Sequence, residues 1–182
     1  MDRLWSPWRG AHVERATEAA RTGADEGLSV FARIAAEPAH DAEHFVVWRG
    51  ATFYVVLNLY PYTNGHLLLV PYREVDAYDA LTDAEHVELA RLLARAMGWL
   101  REALRPDGFN VGLNQGTAAG AGIPRHLHVH LVPRWHADTN FMPVTGEVRV
   151  MHEALGATYA RLRAVVEQEA SGAGSPGSPL AP

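Results

Sequence analysis

The run His126-Leu127-His128-Val129-His130-Leu131-Val132 alternates imidazole and aliphatic side chains. Successive side chains of an extended chain point to opposite faces, so this pattern is a two-faced strand. His126, His128 and His130 share one face; Leu127, Val129 and Leu131 share the other. The aliphatic face needs a core to lie on, and the imidazole face must meet solvent, a metal or a ligand. Three imidazoles on one strand face cost stability unless they serve something. Their position directly after a glycine-rich loop favours a site over a bland polar surface.

The remaining elements are read around this strand. Phe45 to Trp48 and Thr52 to Leu57 are rich in Val, Phe and Tyr and flank Arg49-Gly50, the pattern of a β-hairpin. The turn cluster Tyr60-Pro61-Tyr62-Thr63-Asn64-Gly65 leads into an apolar strand from His66 to Val70 that stops at Pro71. Thr82 and Glu85 have the spacing of a capping box. Leu89, Leu93, Met97, Leu100 and Leu104 follow at helical steps, and Pro106-Asp107-Gly108 ends that helix. A strand over Phe109 to Asn114, a loop from Gln115 to Pro124, and the histidine strand closed by Pro133 come next. A second helix is expected over Val150 to Glu169, and a possible short one lies in the alanine-rich stretch Glu14 to Glu26. Trp5-Ser6-Pro7-Trp8-Arg9 should pack on something. Hairpin signals dominate the strand order, so the class is α+β with an antiparallel sheet. The chain divides into an N-terminal extension (1–44), one domain (45–170) and a disordered Gly/Ser/Pro tail (171–182).

Composition narrows the chemistry. The 182 residues include no cysteine and no lysine; all 16 basic residues are arginine, beside 10 histidines. Disulfides, thiolate zinc sites, cysteine nucleophiles, lysine Schiff bases and the lysine-bearing phosphate loop are excluded. A net charge of -5 argues against a nonspecific nucleic-acid binder. No apolar run approaches a membrane span and the N-terminus has no apolar signal core, so the expected setting is the cytoplasm, without membrane contact.

Two chemistries suit the imidazole face. One is a metal site; the other is nucleophilic attack on phosphorus by a neutral imidazole whose second nitrogen is fixed by a carbonyl. The residues resemble the histidine triad superfamily of nucleotide hydrolases and transferases. The His-x-His-x-His run carries that resemblance together with Asn58-Leu59-Tyr60-Pro61, Gly65-His66-Leu67 and Val70-Pro71. Phe109 to Asn114, the glycine loop and Val132-Pro133-Arg134-Trp135 are most similar to its bacterial diadenosine-tetraphosphate phosphorylase and hydrolase branch. The resemblance implies a HIT-like fold: an antiparallel five-stranded sheet with one long packed helix and a C-terminal helix. It covers Phe45 to Phe141, with weaker echoes in Leu4 to Arg9.

The roles below are those the resemblance implies. His128 is the nucleophile and forms a nucleotidyl-histidine, released by water or phosphate. His130 contacts phosphate oxygens and helps the leaving group, His126 orients the strand, and His66 is the fourth histidine of the site. Asn58 meets the ribose hydroxyls, and Asn114 or Gln115 the phosphates. Gly120, Ala121, Gly122 and Ile123 offer backbone N–H donors to an anion. Relatives often carry a hydroxyl near the end of this loop, where Ile123 and Pro124 stand here; Thr117 is a weak substitute. Apart from the resemblance, the chemistry of Arg125 and Arg134 suits a polyphosphate clamp and that of Trp135 a base stack or pocket shield, with a surface or packing role the equal alternative for each; of Phe53 and Tyr54 one is expected to line the base pocket and one the core.

Many bacterial relatives hold a structural zinc through two N-terminal cysteines, a downstream histidine and the first triad histidine. Ser29, Ala32 and Glu74 stand at three of those positions, so neither zinc nor any other cofactor is expected. The implied partners are a nucleotide substrate and a second copy in a homodimer. The competing readings are a nucleotide-binding or sensing module with little turnover, a nucleoside phosphoramidase, and a metal-dependent enzyme on the same strand.

Overall fold

The computed structural model describes residues 27–138 and 153–172. The possible helix over Glu14 to Glu26, the Trp5–Arg9 segment and the tail beyond Gly172 lie outside the described residues. Five strands form one antiparallel sheet: β1 (Val46–Arg49), β2 (Phe53–Leu57), β3 (Leu67–Pro71), β4 (Gly108–Leu113) and β5 (Val129–Arg134). Their spatial order is β1-β2-β3-β5-β4. Among the described residues three α-helices accompany them: α1 (Val30–Ala36), α2 (Asp83–Leu104) and α3 (Leu155–Ala170). This is the α+β class and antiparallel sheet expected from the hairpin signals, with the five strands that the family resemblance implies.

Strand parity divides the core in two. Val47, Phe53, Val55, Leu57, Leu67, Leu69, Val129 and Leu131 turn to one face and pack under α2 and α3. Val46, Tyr54, Val56, Leu68 and Val70 turn to the other, where Phe31 and Ile34 of α1 join them. Phe53 thus enters the helix-covered core. Tyr54 does not line an open pocket as expected, because α1 covers it and its hydroxyl donates to Phe31 O at 2.9 Å.

The capping box forms as read. Thr82 accepts from the Glu85 N–H while the Glu85 carboxylate accepts from the Thr82 N–H. Arg73 also holds that carboxylate at 2.7 Å, keeping its pKa down at about 2. The buried stripe of α2 runs through Leu89, Leu92, Ala96, Trp99, Leu100 and Ala103, with Leu93, Met97 and Leu104 packed at its margins.

Both boundaries of β5 differ from expectation. The ladder of β5 begins at Val129, not His126. The neighbouring strand β3 ends at Pro71, which has no N–H, and the Pro71 carbonyl is taken by the His126 ring at 2.8 Å. The Leu127 N–H leaves the ladder for Val75 O at 2.6 Å. At the other end β5 continues through Pro133 to Arg134. Pro133 sits beyond the Leu67–Leu131 pair, so its missing N–H breaks no bond to β3, and its carbonyl accepts from Thr63 Oγ1. No described helix is long and apolar enough to cross a membrane.

Candidate active site

Parity along β3 and β5 assembles the site. His66 precedes Leu68 and Val70 on one face, and His130 sits opposite Leu68 across the ladder. Gly65 makes this approach possible: its φ is +78°, and a Cβ there would run into Leu104 Cδ1. His66, His126 and His128 are buried, a costly placement for imidazole unless its nitrogens are paired.

The hydrogen bonds fix where each proton sits. Tyr62 N–H donates to His66 Nδ1 at 3.1 Å, so His66 carries its proton on Nε2. That nitrogen lies 2.9 Å from His130 Nδ1, which must accept, leaving the His130 proton on Nε2. His130 Nε2 is the one buried side-chain polar atom among the described residues that has no hydrogen-bond partner. An unmet buried donor costs about 1–3 kcal/mol, so it marks a place built for an acceptor. His128 Nδ1 donates to the His126 carbonyl at 2.9 Å, which leaves the Nε2 lone pair available beside the His130 ring, 5.0 Å away centroid to centroid. Burial lowers the pKa of His126 and His128, and together with the neighbouring His128 it brings His130 down to about 4. The rings are therefore neutral at pH 7, with a lone pair available on His128 Nε2 and an unpaired N–H on His130 Nε2.

Comparisons with known proteins give the family and the fold. A family profile described as the HIT domain matches residues 39–137. The AP-4-A phosphorylase of Mycobacterium tuberculosis is 42% identical over 156 residues, covering 85% of this chain and 79% of that protein. The chain belongs to the HIT family. Among solved structures, a zinc-bound histidine triad protein from Mycobacterium smegmatis is similar with a TM-score of 0.62 at 25% identity, covering 79% of this chain and 96% of that one. A histidine triad nucleotide-binding protein from Sulfolobus tokodaii gives 0.61 at 25% identity, covering 77% and 93%.

The other HIT-derived positions divide into those the fold brings to the histidines and those it does not. Asn58 is brought there: its Nδ2 lies 3.4 Å from His66 Nδ1, and its Oδ1 accepts from Tyr60 N–H. Asn114 follows the end of β4, which pairs with β5 from Leu113↔Val129 onward. Gln115 spends its amide oxygen on Tyr78 N–H at 2.9 Å. In the glycine loop, the Gly120 and Ala121 N–H groups bond Thr117 O and Gly116 O, so any donor nest narrows to Gly122 and Ile123. Thr117 opens the short 3-10 turn of this loop, and the Ile123 side chain packs on the Phe31 cluster.

Trp135 is not brought to the histidines within this chain. It follows the far end of β5, about 16 Å of strand from His130, and its indole N–H donates to Arg105 O. The two arginines are also engaged elsewhere: Arg125 pairs with Glu74 and Gly27 O, and Arg134 with Asp138 and Asn110. Sequence reasoning missed Tyr62, which fixes the His66 tautomer and lays its ring parallel to His130 at 5.8 Å and 6°. No local pattern signals it beyond its place in the turn before His66.

The four positions that the family resemblance sets at a zinc site, Ser29, Ala32, Glu74 and His126, gather in space, but their chemistry does not fit the metal. His126 uses Nε2 on Pro71 O and Nδ1 on Ser29 Oγ at 2.6 Å, Glu74 is paired with Arg125, and Ala32 offers only a methyl group. A tetrahedral zinc centre wants thiolate or imidazole donors with free lone pairs.

Proposed function

We propose that this protein cleaves a phosphoanhydride bond of dinucleoside polyphosphates of the diadenosine-tetraphosphate type through a covalent nucleotidyl-histidine. The observation that carries this reading is the tautomer pair: a lone pair on His128 Nε2 beside an unpaired N–H on His130 Nε2. His128 Nε2 attacks the α-phosphorus and the bond to the bridging oxygen breaks. The His130 N–H hydrogen-bonds the departing phosphate oxygen and stabilises its charge, a use of a positioned donor worth about 10²–10³-fold. Phosphate or water then attacks the phosphorus, releasing nucleotide and restoring His128. Asn58 meets the ribose in this scheme. Asn114, rather than Gln115, meets the phosphates, with the Gly122 and Ile123 amides facing the anion.

Phosphorolysis is the first expectation, because the 42% identical relative is named a phosphorylase. The enzyme acts in the cytoplasm as a homodimer, a reading supported by the exposed Asn110, Val111 and Gly112 on the outermost strand β4. Light scattering in solution tests the dimer. Incubation with diadenosine tetraphosphate tests the activity. ATP plus ADP formed only with added phosphate identifies a phosphorylase. AMP plus ATP, or two ADP, identifies a hydrolase. No turnover under either condition contradicts the proposal.

A further inference from the structure

We infer that α1, lying upstream of the matched HIT domain, is part of the catalytic apparatus: Ser29 and Phe31 are positioning residues for the nucleophilic nitrogen of His128. The inference rests on the proposed role of His128.

His126 connects α1 to His128. Its Nε2 faces the Pro71 carbonyl at 2.8 Å, and a carbonyl only accepts, so the ring proton sits on Nε2. Nδ1 must then accept, and the Ser29 hydroxyl, 2.6 Å away, is its donor. Ser29 Oγ in turn accepts from Ala32 N–H at 3.0 Å, as the N-cap of α1, which turns its own proton toward His126. The ring of His126 is thereby held at both nitrogens. Its backbone carbonyl is the group that accepts from His128 Nδ1 and so selects which His128 nitrogen keeps a lone pair.

Phe31 acts on the same two residues from the side. Its ring lies 5.1 Å from His128 and 5.6 Å from His126, edge-on to the latter. Tyr54 holds the Phe31 carbonyl, so the ring does not drift. A third tie crosses at the start of the helix. Glu74 accepts from Ser29 N–H and pairs with Arg125, whose other arm reaches Gly27 O. The loop carrying the histidines and the segment carrying α1 therefore hold each other. Ser29 and His126 are both buried, so water does not replace the hydroxyl if it is removed.

The test compares Ser29→Ala, Ser29→Gly and Ser29→Thr in the full chain. Alanine and glycine both remove the hydroxyl, but glycine keeps most of the N-cap preference and alanine does not. Both variants are expected to slow formation of the nucleotidyl enzyme about tenfold or more, as small misplacements of reacting groups do. KM should stay within about twofold, and threonine should restore the rate. Nitrogen-15 spectra of the histidine rings should show His128 as the Nδ1–H tautomer in the natural protein and a mixture in the two variants. An unchanged rate and tautomer in Ser29→Gly overturns the inference, as does a loss in alanine alone, which would trace to the helix cap. Should the variants fail to fold, the natural protein still decides: His126 carrying its proton on Nδ1 overturns the inference, and a proton on Nε2 supports it. Absence of turnover by the natural protein would count against the enzymatic reading, while the tautomer comparison would still judge Ser29.

Discussion

His66 Nε2 and His130 Nδ1 lie 2.9 Å apart, and the direction of the proton between them is set from outside the pair by the Tyr62 N–H on His66 Nδ1. Backbone geometry thus dictates the tautomer of a side chain two hydrogen bonds away. Replacing His66 with phenylalanine keeps a ring in place but removes the donor. The His130 proton is then free to sit on either nitrogen. We expect kcat on diadenosine tetraphosphate to fall about ten- to a hundredfold. The loss should shrink on a nucleotide ester with a much less basic leaving group, such as a dinitrophenolate, which needs no stabilising hydrogen bond. An equal loss on both substrates would assign His66 a role unrelated to the leaving group.

The pKa of His130 gives the stability a defined pH dependence. Burial and the neighbouring His128 lower it from 6.5 to about 4, so the folded state resists a proton that the unfolded chain accepts. Stability from this group is complete above pH 6.5 and is lost as pH falls toward about 4. Urea midpoints measured across that window should decline on acidification. A His130→Asn variant, lacking this titration, should decline less steeply; an identical slope would contradict the assignment.

Gly65 offers a test of how the turn delivers His66. Alanine there must adopt φ of +78° and push its methyl group into Leu104. The backbone strain alone costs about 1–2 kcal/mol, so urea denaturation should show at least that loss, with reduced kcat because His66 moves. Gly108→Ala meets no atom within 4 Å and serves as the control, with little change expected.

Thr82 probes the helix under the sheet. Thr82→Ala removes the acceptor for the Glu85 N–H and should lower stability by about 1 kcal/mol, read as a lower melting temperature with activity per folded molecule unchanged. The capping box is remote from the histidines in sequence and serves only the core.

The parts of the fold carried by short-range rules were legible before any coordinates. The alternation at His126 to Val132 put the histidines on one face, and Thr82 with Glu85 announced α2. What stayed hidden has a physical cause in each case. Helix α1 has only seven residues, too few for a periodic apolar stripe, and it is held by contacts such as Ser29 with His126, 97 residues apart. Trp135 lies apart from the histidines of its own chain because nearness in sequence along a strand is distance in space: five residues of extended chain carry it to the opposite end of the strand. The early start given to β5 failed because Pro71 cannot continue the ladder and the His126 side chain takes its carbonyl. The donor loop looked fully open because glycine content does not reveal which amides the turn at Gly116 to Ala121 uses for itself.

The central claim is that His128 Nε2 becomes bonded to phosphorus. The direct measurement is mass spectrometry of the protein mixed with diadenosine tetraphosphate in the absence of phosphate and quenched at alkaline pH, where a phosphorus–nitrogen bond to histidine survives. The account predicts one adenylyl group per chain, mapped to the peptide containing His128, discharged on adding phosphate or by reaction with water, and absent from His128→Ala. Turnover without any such adduct, or an adduct that persists in His128→Ala, would contradict it.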